Sequence, residues 1–297
     1  MSDDAGLLRG RFLVFLAGLF WSTGGLLVRL AETADSWQIV FYRSLFVIPF
    51  LVLVLALGNR GDVIGKFRDA GGRAVLGGFF LGGAFTCFVL ALEKTSVANV
   101  LFVLSAIPFL AAIGGRVFLG EAVRRVTWAM MAVGSIGLFV MVEGEIGGDG
   151  IEGMVLGFAA ALCFSAYTVA LRSGQARDMT PAVCWAGFFG ALYAGTALVA
   201  QGADFAVPAY DLGICLTMAV GQIGFGLLAY TAGSKVVPAA ELGLISLTEV
   251  VFGPIWVWLV VDEVQHLETL IGGGILLGAI TANALTGMRR KRPPPMV

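Results

Sequence analysis

Residues 92–121 read LEKTSVANVLFVLSAIPFLAAIGGRVFLGE. From Val97 to Gly115 the stretch carries no charge, and Glu93 and Lys94 precede it while Arg116 and Glu121 follow it. A helix crosses the ~30 Å hydrocarbon layer of a bilayer with roughly 20 apolar residues, so Val97–Gly115 predicts one transmembrane helix with its charges held at the two ends. The same pattern, a long run with at most one charge, recurs outward from it at Phe12–Val28, Trp37–Leu57, Ala74–Leu92, Val126–Val142, Gly153–Leu171, Pro181–Gln201, Leu212–Ser234, Leu242–Val261 and Thr269–Gly287. Strands of a membrane barrel would alternate polar and apolar residues over about ten positions; these runs are continuous. The expected fold is an all-α membrane protein with ten transmembrane helices.

Composition points the same way. The chain is 58% hydrophobic and 13% charged, against about 45–50% and 25% in soluble domains. A net charge of −1 suggests no nucleic-acid partner and no acidic disorder; the expected partners are the lipid bilayer and a small-molecule substrate. Cys87, Cys163, Cys184 and Cys215 each sit in an apolar run without metal-type spacing, so they read as small core residues. The first run follows Arg9 and Arg11 as a signal peptide would, but no small-residue cleavage site follows it, and it reads as a retained helix.

Cytoplasmic loops retain Lys and Arg. With the N-terminus inside, sixteen of the nineteen basic residues fall on the inner side, only Arg29 and Lys94 fall outside, and Arg43 lies within the second span. Both termini are therefore expected in the cytoplasm and the chain in a bacterial-type inner membrane. At an offset of 143, Leu19, Trp21, Ser22 and Arg29 align with Leu162, Phe164, Ser165 and Arg172; at an offset of 142, Val97-Ala98 aligns with Ala239-Ala240 and Glu121 with Glu263. These matches predict a duplication, residues 1–147 and 148–297. Five spans per copy is odd, so the copies must be inverted.

Ionisable groups inside a membrane cost roughly 2.5–3.5 kcal/mol on insertion scales and face an interior or a cavity. Glu249, midway along the ninth span, is too deep to reach either surface and is the leading functional candidate, the alternative being a protonated or hydrogen-bonded structural carboxyl. Arg43 lies about six residues into its span and is expected to snorkel to the headgroups. Trp21, Ser22, Asn99, Phe102, Ser105, Phe164, Tyr167, Gln222, Tyr230 and Ser246 supply aromatic and polar points for a largely apolar substrate pocket. Each reads equally well as helix–helix contact. Thr248 is a further polar point, and Trp37, Trp128 and Tyr210 read as interfacial anchors. Pro49, Pro108 and Pro254 predict kinks or breaks. The glycine pairs Gly78/Gly82, Gly153/Gly157 and Gly274/Gly278 predict close helix packing or a dimer contact. HExxH, G-x-S-x-G and Walker-type motifs are absent from the sequence, so no catalytic residues, metal or cofactor are expected.

Ten helices, a five-plus-five duplication and inner termini resemble the drug/metabolite transporter superfamily, specifically its EamA-type exporters. The local resemblance lies in Thr95-Ser96, Ala98, Pro108 and the closing Leu119-Gly120-Glu121, and a similar stretch runs from Val237 to Glu263. The family often pairs Glu with Pro; here Val250 follows Glu249, and Ile107 precedes Pro108. Among members the chain is most similar to YddG-like exporters, which implies aromatic and other neutral amino acids as substrates. The resulting expectation is a secondary exporter of neutral or zwitterionic metabolites working by alternating access, its cavity lined by spans one, three, four, six, eight and nine. A passive channel and, further off, an intramembrane enzyme are the alternatives; saturable counterflow separates carrier from channel, and product formation would mark an enzyme. The orientation has a direct check. Cysteines introduced at Gly147 and Gly202 should react with an impermeant external thiol reagent and one at Gly61 should not; labelling at Gly61 would overturn the orientation.

Overall fold

The computed structural model describes residues 2–58, 62–144, 150–174, 180–237, 242 and 245–289, and among these the regular structure is helical throughout. The elements are α1 (Ser2–Leu30), α2 (Ser36–Gly58), α3 (Val63–Lys94), α4 (Val97–Leu104), α5 (Ile107–Leu119), α6 (Arg125–Gly144), α7 (Gly150–Gly174), α8 (Thr180–Gln201), α9 (Ala209–Thr217), α10 (Gly226–Ser234), α11 (Thr248–Val261) and α12 (Leu267–Arg289). A π-helical stretch, Met218–Phe225, joins α9 to α10. Among the described residues nine helical stretches are long and apolar enough to cross a membrane, and α11 is a shorter apolar helix. The nine overlap nine of the predicted runs. The tenth run, Leu242–Val261, is a described helix from Thr248 onward, while residues 243 and 244 lie outside the described residues.

Backbone groups in lipid must be satisfied within the protein, and the two helix breaks show how. α4 and α5 form one span interrupted at Ser105 and Ala106, directly before Pro108. Ser105 Oγ donates to Phe102 O at 2.6 Å, and Phe109 and Leu110 N–H donate to Ala106 O. A second break falls at Leu247, where Val250 and Val251 N–H share Leu247 O and Thr248 Oγ1 donates to Ile245 O. Leu247 stands 142 residues after Ser105. That break therefore precedes Pro254 by seven residues, whereas Pro49 and Pro254 themselves lie inside uninterrupted helices. Of the three prolines expected to kink or break a span, only Pro108 coincides with an interruption. Proline costs one intrahelical bond, but the breaks fall where a serine or threonine hydroxyl can meet a freed carbonyl.

Small residues bring the helices together. An added Cβ at Gly78 would lie 2.2 Å from Trp185 Cβ, and one at Gly82 2.9 Å from Ala186 O, so this pair seats α3 on α8. Gly153 approaches Thr95, and Gly157 faces Val100 and Val103, seating α7 on α4. Gly137 and Gly272 bring α6 against α12, with a Cβ at either position 2.4 Å from the other's carbonyl oxygen. Gly274 and Gly278 differ: nothing lies within 4 Å of a Cβ at either position, so they pack against nothing within the chain.

Helix α1 packs on α10 and α11, as α7 packs on α3 and on α4 with α5. Counting spans, the contact of the third with the sixth corresponds to that of the eighth with the first, and the fourth–sixth contact to the ninth–first. Bulky apolar residues such as Leu57, Phe118, Phe139 and Val199 point outward, as lipid-facing residues do. Trp128 and Tyr210 are exposed near helix ends. Cys184 and Cys215 are buried as expected, but Cys87 and Cys163 are half-buried, because both lie on helix faces left partly open.

Candidate functional site

Helix α1 carries the densest set of the predicted site residues. The Trp21 ring lies against that of Tyr230 on α10, centroids 5.3 Å apart. Gln222 on the π-helical stretch donates from Nε2 to Trp21 O at 3.4 Å. Ser22, fully buried, donates to Leu19 O at 2.7 Å and accepts from Trp256 Nε1 on α11 at 2.9 Å. Gly18, one helical turn before Ser22 and on the same face, admits Thr248 and the backbone of Glu249, since a Cβ there would lie 3.0 Å from Thr248 Cβ. Trp21, Ser22, Gln222, Tyr230 and Glu249 are thus brought around one helix by glycine at Gly18, Gly24 and Gly226. A Cβ at Gly226 would stand 2.3 Å from Trp21 Nε1.

Glu249 is half-buried, and no hydrogen bond or ion pair joins its carboxyl to another described residue.

The other predicted residues lie elsewhere. Asn99, fully buried, donates to Thr95 Oγ1 at 2.9 Å and accepts from Thr269 Oγ1 at 2.8 Å, tying α4 to α12. Phe102 packs on Gly273 of α12. Ser105 and Ser246 direct their hydroxyls to carbonyls of their own helices. Phe164 and Tyr167 pair edge to face at 5.5 Å on α7, with Tyr167 against Gly77 of α3.

Two polar features escaped the sequence. Arg43, expected to snorkel, is instead buried to 1% exposure; Nη2 donates to Phe85 O at 3.0 Å and the guanidinium lies 5.3 Å from the Phe85 ring centroid. Its position on α2 faces α3 and α9 rather than lipid, so the side chain has no route along the helix surface to the headgroups.

The second is an ion pair between the halves. Arg29 Nε donates to Glu263 Oε2 at 2.7 Å, Nη2 to Thr95 O at 2.8 Å, and Nη1 to Leu92 O. Glu263 Oε1 accepts from Val97 N at 2.7 Å. The carbonyls ending α3 and the amides opening α4 have no helical partners of their own, and the helix dipoles favour a cation at the first and an anion at the second. The same end of the bundle holds Asp211, 1% exposed, which accepts from the backbone N–H groups of Glu32, Thr33 and Ala34. At the opposite end Thr127, 142 residues before Thr269, donates to Asn283 Oδ1 at 2.8 Å, and Arg124 donates to the same residue. Each residue of the Arg29–Glu263 pair was visible in the sequence, but nothing local indicated that they meet across 234 positions.

Long apolar helices that are broken at hydroxyl-capped points and carry a carboxyl within a span define a polytopic membrane protein. The profile of the EamA-like transporter family matches residues 8–143 and again 151–285, and the chain belongs to that family. It is similar to two curated proteins named pseudopaline exporter CntI, from Pseudomonas aeruginosa strains UCBPP-PA14 and PAO1. Each is 25% identical over 284 residues, covering 94% of this chain and 97% of the relative. A solved crystal structure that is 18% identical superposes with a TM-score of 0.66, covering 95% of this chain and 99% of that one, and so shares the fold.

Because each member of the ion pair is also held by a helix end of matching polarity, reversing the pair cannot restore it. Glu263→Gln and Arg29→Gln should each lower the thermal midpoint of the purified protein, by an amount on the order of 1–3 kcal/mol of lost charged hydrogen bonding. The double swap Arg29→Glu/Glu263→Arg should be no better than either. Recovery of the wild-type midpoint in the swap would show that the pair acts by charge alone.

Proposed function

We propose that this chain exports small neutral or zwitterionic metabolites, amino acids with aromatic and other neutral side chains foremost, by alternating access across a bacterial inner membrane. The observation that carries this reading is that Trp21, Ser22, Gln222 and Tyr230 gather around α1, against which the start of α11 with Glu249 also packs. Aromatic faces and a few hydroxyl and amide groups suit a small amphipathic solute, and one carboxyl can hold an ammonium group or a proton. The chain forms two inverted five-span repeats, residues 1–147 and 148–297, with ten spans in all and both termini cytoplasmic. The double family match and the paired span contacts support the duplication, and the sixteen inner basic residues support the orientation. In that orientation the Arg29–Glu263 pair closes the outer end. The two repeats rock about the site, and no covalent intermediate is formed.

The names of the curated relatives support export, while 25% identity leaves the solute to be established for this chain. Counterflow in proteoliposomes, with neutral amino acids and pseudopaline as separate solutes, is the direct test. Saturable exchange is expected; flux that rises linearly with concentration would indicate a channel. Glu249→Gln should change the rate or its pH dependence with folded yield nearly unchanged. Wild-type efflux in Glu249→Gln at every pH, together with low yield in Glu249→Leu, would make Glu249 a structural carboxyl.

A further inference from the structure

Among the described residues Arg43 has no anion. It is 1% exposed on α2, its Nε has no hydrogen-bond partner, and no ion pair joins it to a described carboxylate. What it does have is Phe85: one carbonyl bond at 3.0 Å and the ring face 5.3 Å from the guanidinium carbon. The thiol of Cys215 on α9 lies close by and donates to Ile39 O at 3.9 Å. A guanidinium cannot shed its proton to escape the cost of burial. Buried charges in proteins are otherwise paired, because an uncompensated one is strongly unfavourable. A staple between α2 and the Phe85 carbonyl would need only a neutral donor such as glutamine. The full charge and the unused Nε therefore call for a ligand.

A second orphan lies on the neighbouring span. Gln222 is 8% exposed and its Oε1 has no partner, while its Nε2 holds Trp21 O. The π-helical stretch that carries Gln222 packs against both α1 and α2. It does so through glycine: a Cβ at Gly224 would lie 2.3 Å from the Phe50 ring, and one at Gly24 2.5 Å from Gln222 Nε2. π-Helical turns are frequent at functional sites because they displace side chains from the regular helix register.

We propose that Arg43 is the counter-charge for a carboxylate on the transported solute, which makes the substrate class a small monocarboxylate such as an amino acid. This rests on the export reading above. The planar fork of arginine binds a carboxylate through two parallel N–H···O bonds. Without solute, the ring and carbonyl of Phe85 occupy the guanidinium in its place, the ring by its negative face. Parting α2 from α3 would expose Nε and release Nη2 from the Phe85 carbonyl. One cation suits one carboxylate, whereas a phosphorylated solute would need several.

Matched probes test this. Wild type, Arg43→Gln and Arg43→Lys are reconstituted, and counterflow is measured with phenylalanine and with phenylalanine amide, alongside thermal midpoints of the purified proteins. Wild type should prefer phenylalanine. Arg43→Gln should lose that preference, by about ten- to a hundredfold in apparent affinity for the acid, with the amide unaffected and a thermal midpoint equal to or above wild type. Arg43→Lys, which keeps a charge but not the fork, should fall between. An unchanged preference in Arg43→Gln, or a glutamine variant that does not fold, makes Arg43 a structural staple and overturns the assignment. If wild type moves solutes without a carboxylate but neither phenylalanine nor any other acid, the assignment falls while export stands. If wild type moves no solute at all, both fall.

Discussion

Arg29 and Glu263 tie together three parts of the chain at one end of the bundle: the end of α1, the joint between α3 and α4, and the loop after α11. The pair works because three of its bonds go to backbone groups that a helix end leaves unpaired. Without it the carbonyls of Leu92 and Thr95 and the amide of Val97 would need water, and water would have to enter the bundle. The Asp211 cap on the α1–α2 loop and the Thr95–Asn99–Thr269 chain lie at the same end and serve the same purpose. Closure of this end is thus a matter of hydrogen-bond satisfaction at helix termini, with glycine contacts setting how near the helices come.

Inside that closure Arg43 on α2 and Glu249 on α11 have no oppositely charged partner among the described residues. Their cost is tolerable only if something else meets it part of the time. Glu249 is half-buried at the start of α11, and Arg43 rests against an aromatic ring and a carbonyl. A bundle selected for stability alone would have paired or removed them. The two helix breaks, at Ser105 and at Leu247, show the contrasting treatment: where the backbone departs from helix, hydroxyls and shared carbonyls satisfy it.

How far the sequence could be read followed from the range of each interaction. Span positions were legible because every span is a long apolar run with at most one charge, and the chain's repeat showed as Leu19, Trp21 and Ser22 against Leu162, Phe164 and Ser165. The grouping of Trp21, Ser22, Gln222, Tyr230 and Glu249 around α1 could only be guessed from residue type. Asn99 and Ser105 looked equally suitable, yet their polar atoms are engaged by Thr95, Thr269 and Phe102. Arg43 was misread because depth was judged from its own span, when the decisive fact is that α3 and α9 cover it. The π-helical stretch left only the glycines Gly221, Gly224 and Gly226 as a trace, and in a chain with 42 glycines they do not stand out. The break at Leu247 was invisible because proline, the obvious marker, sits seven residues further on.

Exchange of access between the two ends is the central mechanical claim, and electron spin distance measurement across both ends addresses it directly. Labels at Asp35 and Val264 span the end closed by Arg29 and Glu263; labels at Ala122 and Val236 span the opposite one, each pair placed in protein whose native cysteines have been replaced. Introducing Glu263→Gln should lengthen the first distance and shorten the second in the same membranes. Distances that change together, or that do not change at either end, would contradict alternating access in this chain.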